Sequence, residues 1–437
     1  MSDARKAALP ALEKCRRMDA WSDAVLGSVM DAEGLQGRDR ALASSLCYGV
    51  LQHRMMLDHV VMQLSSIPLK KIEPKVLDVL RLSLYQIMML DRIPNSAAVN
   101  EGVRLCKSSG FSRAAGFVNA LLRRAAEGKY QLPAGNAPED LSLRYSHPLW
   151  LTEYFVERLG VDEAEQLLQC HNEEVPLSLQ VNTLHSSAEK LLDELTALGL
   201  HAEAHTYLPE CVQLSQSGDI RKLKQFCDGD FYVQDAAAKM AVLAANPQKN
   251  DRILDVCAAP GGKSFAAAIL SGNGSVLSCD LHENKLKRIL DGAARLGLTG
   301  IETAAMDARE FHSDFEGKFD LVIADVPCSG LGVIRKKPDI RYKDPTAFEG
   351  LPTIQLSILE NVSRYVASGG VLLYSTCTVR SEENEDLVTR FLRGNLNFTL
   401  EDFVLPGNCR CQNGMIQFWP HRHGTDGFFV AKLRKLK

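Results

Sequence analysis

Long hydrophobic runs are missing from this chain. The longest, such as residues 363–376, are broken by charged or small polar residues and are too short to span a bilayer. The start of the chain lacks the apolar stretch of a signal peptide, because Met1-Ser2-Asp3-Ala4-Arg5-Lys6 leads into a charged amphipathic helix. These two absences point to a cytoplasmic protein with no membrane partner. Low-complexity tracts and internal repeats are absent too. With hydrophobic residues at 46% and charged residues at 24%, disorder is not expected. Cysteine is not scarce, at 12, but it lacks the paired spacings of a zinc finger; the close pair is Cys409 and Cys411, without a second Cys/His pair. Reduced thiols and no metal site are expected. A strong charge of one sign is lacking as well. The net charge of −4 combines a slightly basic front, residues 1–143, with an acidic remainder, which is compatible with a nucleic-acid partner without requiring one.

What is present is a chain of 437 residues, enough for two or three domains. From Ala4 to Glu127 apolar residues recur at helical spacing, as at Val76, Leu80, Leu84 and Ile87, which predicts an all-helical domain of five to seven helices. Two clusters there, residues 98–103 and 117–124, each place an asparagine (Asn100, Asn119) in an otherwise apolar helical pattern. Helix-packing hydrogen bonds inside the bundle are the expected use. The spacing of the clusters resembles that of the NusB-like antitermination domain, a helical RNA-binding module, over roughly residues 5–130. Residues 131–140 are rich in Pro, Gly and Asn and read as a linker. Domains are therefore expected at 1–132 (helical), 133–234 (linker and a small α/β segment) and 235–437. In the middle segment Leu177–Val181 reads as a strand and 187–198 as a helix. His147, before a proline at a helix entrance, reads as structural.

From Asp235 onward strands and helices alternate at βαβ spacing, predicting an α/β Rossmann-like domain with a mostly parallel, doubly wound sheet. The strands read as 252–256, 275–280, 301–305, 319–324 and 370–374, with a late antiparallel pair at 415–418 and 427–432. After the first strand, Cys257-Ala258-Ala259-Pro260-Gly261-Gly262-Lys263-Ser264 forms a tight turn into an alanine-rich helix. Its glycines admit close approach of a ligand, and the helix start suits a polar or anionic group. The ending Gly-Lys-Ser imitates a phosphate loop. That pattern requires glycine at position 257, where the sequence has Cys257, so an NTPase is demoted.

In such a sheet the ligand lies beyond the carboxyl ends of the strands. Those ends are acidic one after another: Asp255, Asp280, Asp307 and Asp325. Asp280 is placed to accept hydrogen bonds from ribose hydroxyls, which fits NAD or S-adenosylmethionine equally. Two thiols decide between them. Cys328, in Asp325-Val326-Pro327-Cys328-Ser329-Gly330, follows the fourth strand; Cys377, in Ser375-Thr376-Cys377-Thr378, follows the fifth.

These motifs, together with residues 254–263, resemble those of the RNA (cytosine-5) methyltransferases. With the NusB-like front end the chain is similar from end to end to the bacterial branch that methylates a cytosine of 16S rRNA. The resemblance implies an enzyme that uses S-adenosylmethionine on 16S rRNA, free or in a partly assembled small subunit, acting as a monomer. It implies that Cys377 is the nucleophile and that Cys328 assists release, although DNA methyltransferases use the Pro-Cys cysteine as nucleophile and only the Thr-Cys motif separates the two roles. Asp325 would hold the cytosine edge. Cys257, Ala258, Ala259, Pro260, Gly261, Gly262 and Lys263 would line the cofactor, with Asp280 on its ribose and Asp307 near the adenine amine. Lys263 could instead support Asp325. Arg335, Lys336, Lys337 and Arg341 are either phosphate contacts or a solvated charge run. One departure stands at Gln180-Val181-Asn182, where relatives commonly read Arg-Val-Asn, so an RNA contact inferred from that arginine does not carry over. The rival reading is an RNA-binding factor with a vestigial methyltransferase body, which would have no use for Asp325, Cys328 and Cys377 together.

Overall fold

The computed structural model describes residues 4–18, 22–215 and 218–437; Met1, Ser2 and Asp3 of the N-terminal reading lie outside them. The chain forms two compact units. One holds the residues up to Glu173 together with Ile334–Lys343, and the other holds Glu174–Val333 and Asp344–Lys437. No helix among the described residues is long and apolar enough to cross a membrane.

The helical unit begins with α1 (Ala4–Met18), α2 (Ser22–Ala32), α3 (Gly37–Gln52), α4 (Arg54–Leu64), α5 (Pro74–Met89), α6 (Asn95–Ser108) and α7 (Ala115–Ala126). Among the described residues of this span there are seven α-helices, in agreement with the periodicity. Helix α5 is the central one: Val76, Val79, Leu80, Leu82 and Leu84 are all buried, so its apolar surface is wider than a single stripe. The two asparagines do not pack as expected. Asn100 is exposed and Asn119 half-buried, because the buried face of α6 runs through Ala98, Val99, Gly102, Leu105 and Cys106 and turns position 100 to solvent.

Three further helices, α8 (Pro138–Tyr145), α9 (Leu149–Leu159) and α10 (Val161–Cys170), belong to the same compact unit, which ends at Glu173. The physical link is polar. Ser146 Oγ accepts the amide of Met55 at 2.7 Å, which ties the end of α8 to the start of α4. His147 is fully buried and structural, with Nδ1 2.8 Å from Tyr145 O and Nε2 3.1 Å from His171 Nδ1.

The last part of this unit is the stretch Ile334–Lys343, and it overturns the phosphate-contact reading of Arg341. That side chain is 0% exposed. Its guanidinium donates to Gln52 O (3.0 Å), Asn172 Oδ1 (2.9 Å), Ser146 O (3.3 Å) and His171 O (3.3 Å). Carbonyl acceptors from three separate segments stand in for the water that a buried cation loses. Burial lowers its pKa to about 10, and Arg54 nearby acts in the same direction.

The second unit opens with a four-stranded antiparallel sheet of order β2-β3-β1-β4. Its strands are β1 (Leu177–Val181), β2 (His201–Ala204), β3 (Cys211–Ser215) and β4 (Phe231–Val233), with helices α11 (Ala188–Ala197) and α12 (Lys224–Cys227) between them. Gln180 is fully buried here and donates to Gln234 O at 2.9 Å.

After α13 (Ala236–Ala245) comes the main sheet. Its elements are β5 (Ile253–Asp255), α14 (Gly262–Leu270), β6 (Val276–Asp280), α15 (Glu283–Arg295), β7 (Ile301–Ala305), β8 (Phe319–Asp325), α16 (Leu351–Ser363), β9 (Val366–Thr376), α17 (Glu385–Gly394), β10 (Phe398–Leu400), the small ribbon β11 (Phe403–Leu405) and β12 (Cys409–Cys411), then β13 (Met415–Phe418), α18 (Pro420–His423) and β14 (Phe428–Lys435). The strand order is β10-β14-β9-β8-β5-β6-β7, with β13 paired to β14. Strands β5 to β9 are parallel, and β14 runs antiparallel to β9, to β10 and to β13. This is the expected mostly parallel sheet with a late antiparallel pair. The chain starts at β5 in the middle, moves out through β6 and β7, then returns to β8 on the other side of β5. A crevice opens at such a reversal, beyond the carboxyl ends of β5 and β8.

Candidate active site

The register of the two central crossovers places the site. Asp325, the last residue of β8, is the Cα partner of Ser375 in β9. Cys328 follows Asp325 by three positions and Cys377 follows Ser375 by two, so the two chains leave the sheet at the same level. Their sulphurs lie 3.2 Å apart, both half-buried. Ser375 Oγ donates to Asp325 Oδ1 at 2.8 Å, and Ser329 Oγ lies 2.7 Å from Thr378 Oγ1, so each loop is fastened to the other on both sides of the thiols.

Deeper fastening comes from backbone contact. The Gly332 amide donates to Cys377 O at 3.0 Å, and Gly427, just before β14, donates to Gly332 O at 2.8 Å. A Cβ on Gly332 would lie 1.8 Å from Gly427 O and 2.8 Å from Cys377 O. Both obstacles are backbone and neither can rotate away. Gly332→Ala is therefore expected to destabilise the sheet unit by about 3 kcal/mol, the upper end for overpacking. A fall in denaturation midpoint followed by circular dichroism checks this, and an unchanged midpoint would contradict the close approach.

The glycine turn faces a cavity of about 210 Å³ lined by Val233, Gln234, Asp255, Cys257, Ala258, Ala259, Pro260, Gly262, Lys263 and Asp325. Gly261 caps α14 at φ +113°, a conformation that side chains other than glycine's rarely adopt. The lysine and serine that imitate a phosphate loop are both engaged internally. Lys263, 8% exposed, puts Nζ 2.6 Å from Asp325 Oδ2 and 4.8 Å from the Phe428 ring centroid. Ser264 Oγ donates to Asp255 Oδ2 at 2.7 Å and accepts from Ser278 Oγ at 2.8 Å. With its cation neutralised and its hydroxyl committed, the turn is a poor phosphate cradle.

Asp255 is wholly buried, and its Oδ1 has no hydrogen-bond partner. Burial pushes its carboxyl up to about 7 against the opposing pull of Ser264 and Lys263, with Asp325 adding to the rise. A buried acceptor without a partner on a cavity wall suits a ligand that carries a donor. Asp280 braces the turn. Its Oδ2 accepts from the Ala259 amide at 3.3 Å and its Oδ1 from the His282 amide at 3.0 Å. Asp307 is on neither the cavity wall nor the thiol pair; both its oxygens face the Arg309 side chain, which pulls its pKa below the usual carboxylate value.

Cys328 is held well above the ordinary thiol value, first by its hydrogen bond to Cys377, then by burial, with the charges of Glu383 and Asp325 adding to the rise. Cys257, on the cavity wall, is raised by burial and by Asp255 and Asp325, and so stays a protonated, inert thiol. The expectation left Lys263 between cofactor and Asp325. The structure gives it to Asp325 while leaving it on the cavity wall. Sequence reasoning missed Glu383 and Gln355, both fully buried beside the Cys328 loop.

Comparison with known proteins gives the family. Residues 242–434 match the model of the 16S rRNA methyltransferase RsmB/F, residues 2–127 that of the NusB family, and residues 147–221 that of the RsmF/B-like ferredoxin-like domain. A curated relative, the probable ribosomal RNA small subunit methyltransferase B of Bacillus subtilis (strain 168), is 38% identical, covering 99% of this chain and 98% of its own. Among solved structures, PH0851 superposes with a TM-score of 0.82 at 25% identity, covering 99% of this chain and 98% of its own. NSun6 from Pyrococcus horikoshii, solved with SFG, gives a TM-score of 0.56 at 25% identity over 65% of this chain and 97% of its own. On the full-length identity, the matched models and the strand-end site together, the chain belongs to the 16S rRNA methyltransferase RsmB/F family.

Proposed function

We propose that this protein transfers a methyl group from S-adenosylmethionine to carbon 5 of a cytosine in 16S rRNA, through a covalent bond between Cys377 and carbon 6 of that base. The observation that carries the reading is the pair of thiols 3.2 Å apart at adjacent strand ends. Family membership supports an S-adenosylmethionine-dependent enzyme of rRNA, and the relative NSun6 was solved with SFG, an analogue of that cofactor.

The cofactor would sit in the cavity beside the glycine turn, where the partnerless Asp255 Oδ1 offers an acceptor to a donor group of the ligand. The turn at residues 257–263 would hold it there, with Asp280, which braces that turn, toward the ribose; Asp307, off the cavity wall and engaged by Arg309, is not placed to take the adenine. Bound in this place, S-adenosylmethionine supplies an electrophilic methyl group. The protein's own part is to make carbon 5 of cytosine, a poor nucleophile, able to take that methyl. Cys377 adds as thiolate to carbon 6, the 5,6 double bond opens, and its electron pair becomes available at carbon 5. Asp325 favours this addition. Its carboxylate has about four acceptor positions, of which Lys263 and Ser375 use one on each oxygen. The others can accept from the cytosine amino group and from the proton that water delivers to the adjacent ring nitrogen as the thiolate adds, which neutralises the charge the addition puts on the ring and disfavours uracil. After transfer, the carbon 5 proton leaves to a base that Cys328 provides or positions, the carbon–sulphur bond breaks, and Cys377 departs as thiolate. Cys328 keeps its own proton while Cys377 reacts, in line with the direction of its pKa. The base must be unpaired or swung out of its helix for its face to meet Cys377.

The test is a variant in which release fails. Cys328→Ala, incubated with 16S rRNA and S-adenosylmethionine, is expected to accumulate a protein–RNA species that survives denaturation. Absence of that species in the presence of cofactor, with the variant folded, would remove the release role.

A further inference from the structure

We infer that Glu383 is a positioning residue for release, clamping the two peptide groups that flank Cys328 so that its sulphur stays beside Cys377 through the reaction. Glu383 lies in the turn Ser381–Glu383 after β9 and is 0% exposed. Its Oε2 accepts the amide of Ser329 at 2.9 Å and Nε2 of Gln355, on α16, at 2.8 Å. The same Gln355 Nε2 donates to Pro327 O at 2.9 Å. The residues immediately before and after Cys328 thus hang from one carboxylate, one directly and one through an amide. Glu383 is itself fixed, because Tyr374 OH donates to its carbonyl at 2.6 Å. Tyr374 belongs to β9, the strand that delivers Cys377. The clamp therefore references the Cys328 loop to the strand of its partner thiol.

Burying a carboxylate is costly, and a core position could be filled more cheaply by an apolar side chain. What an apolar residue could not do is accept the Ser329 amide, which would be left buried and unpaired. A second effect points the same way. The groups around the Cys328 sulphur are Tyr374 in β9 and Cys377 just after it, Asp325 at the end of β8 with Lys263 of α14, and Glu383 with Arg380, the residue before its turn. Among them Glu383 adds to the rise of the Cys328 thiol and so helps to keep it protonated.

The inference rests on the division of roles between the thiols proposed above, and the experiment separates the two. Full-length Glu383→Ala and Glu383→Gln are compared with Cys328→Ala for turnover, KM for 16S rRNA, thermal midpoint and denaturant-resistant adduct per folded protein. Misplacing a reacting group by about 1 Å costs about 100-fold, so Glu383→Ala should lower kcat by about 10- to 100-fold. KM should be unchanged and adduct should accumulate. Glu383→Gln keeps an oxygen for the Ser329 amide and should restore kcat to within about 3-fold of the parent, since one neutral acceptor replaces a charged one. A folded Glu383→Ala protein that turns over normally, or a Gln variant as slow as the Ala one, overturns the inference. If the Ala variant does not fold, Gln355→Leu decides: adduct accumulation supports the clamp, and parental turnover overturns it. Adduct from Cys328→Ala but not from the Glu383 or Gln355 variants defeats the clamp alone. Adduct from none of them defeats the release reading with it.

Discussion

Cys377→Ala should lose methyl transfer to 16S rRNA by at least about 1,000-fold, the scale on which removal of a covalent nucleophile is felt. Stability should hardly change. The side chain is half-buried, its sulphur hydrogen-bonds Cys328, and the loop around it is held by Ser329, Thr378 and Gly332 rather than by the thiol. Cofactor affinity should also survive, since Cys377 is not among the residues that line the cavity. The variant has a further signature with a definite sign. The leading cause of the raised Cys328 pKa is its hydrogen bond to Cys377. Removing the partner should bring Cys328 down towards the ordinary thiol value, so it should react faster with iodoacetamide at pH 8 than in the parent. Methyl transfer and alkylation by mass spectrometry measure both effects. Undiminished transfer would exchange the roles of the two cysteines. That reversed assignment is the arrangement the Pro-Cys motif alone would allow.

The fold could be read from sequence wherever a period was strong. Strands β7 and β13 fall on the residues expected, and the alternation of strand and helix after Asp235 sufficed to place Asp255, Asp280, Asp307 and Asp325 at one edge of the sheet. It did not separate their tasks. Asp307 and Asp325 look alike in sequence, yet one faces its own neighbour Arg309 and the other holds Lys263 from a different strand end. Lys263 could not be assigned because its partner is fixed by the pairing of β5 with β8, which no local pattern records. Arg341 failed for a related reason. Four positions after the run Arg335-Lys336-Lys337 it looks like one more solvated cation, and only acceptors from three separate segments make a buried arginine tolerable. Glu383 was hidden in Ser381-Glu382-Glu383-Asn384-Glu385, which reads as a surface charge run. Its burial follows from the turn after β9, where Asn384 is also fully buried and accepts from Thr376 Oγ1 at 2.6 Å.

Asp325→Asn and Lys263→Met should each cost stability, and the double variant should cost less than Asp325→Asn alone. Breaking a fully buried ion pair from one side costs about 3 to 5 kcal/mol, most of it the penalty of the stranded charge. Here Lys263 keeps 9% of its side-chain exposure and Asp325 keeps 30%, so water reaches one partner and about 2 kcal/mol is the better expectation for Asp325→Asn. The Phe428 ring beside Lys263 offsets part of that loss. Removing both charges leaves no stranded ammonium, which is why the cycle should be non-additive. The two single variants should also move Asp255 in opposite directions. Lys263 pulls its carboxyl down and Asp325 pushes it up from the value of about 7, so Lys263→Met raises it and Asp325→Asn lowers it. A carboxyl raised on folding contributes stability at low pH that is lost as pH climbs through its folded pKa. Stability against pH should therefore keep falling beyond pH 7 in Lys263→Met and should level off earlier in Asp325→Asn. Denaturant melts between pH 5 and 8 read this directly. Activity should fall in all three variants. If Lys263 only lined the cofactor, Lys263→Met would weaken S-adenosylmethionine binding with the stability profile unmoved, and the ion pair would have no part in holding Asp325 toward the base.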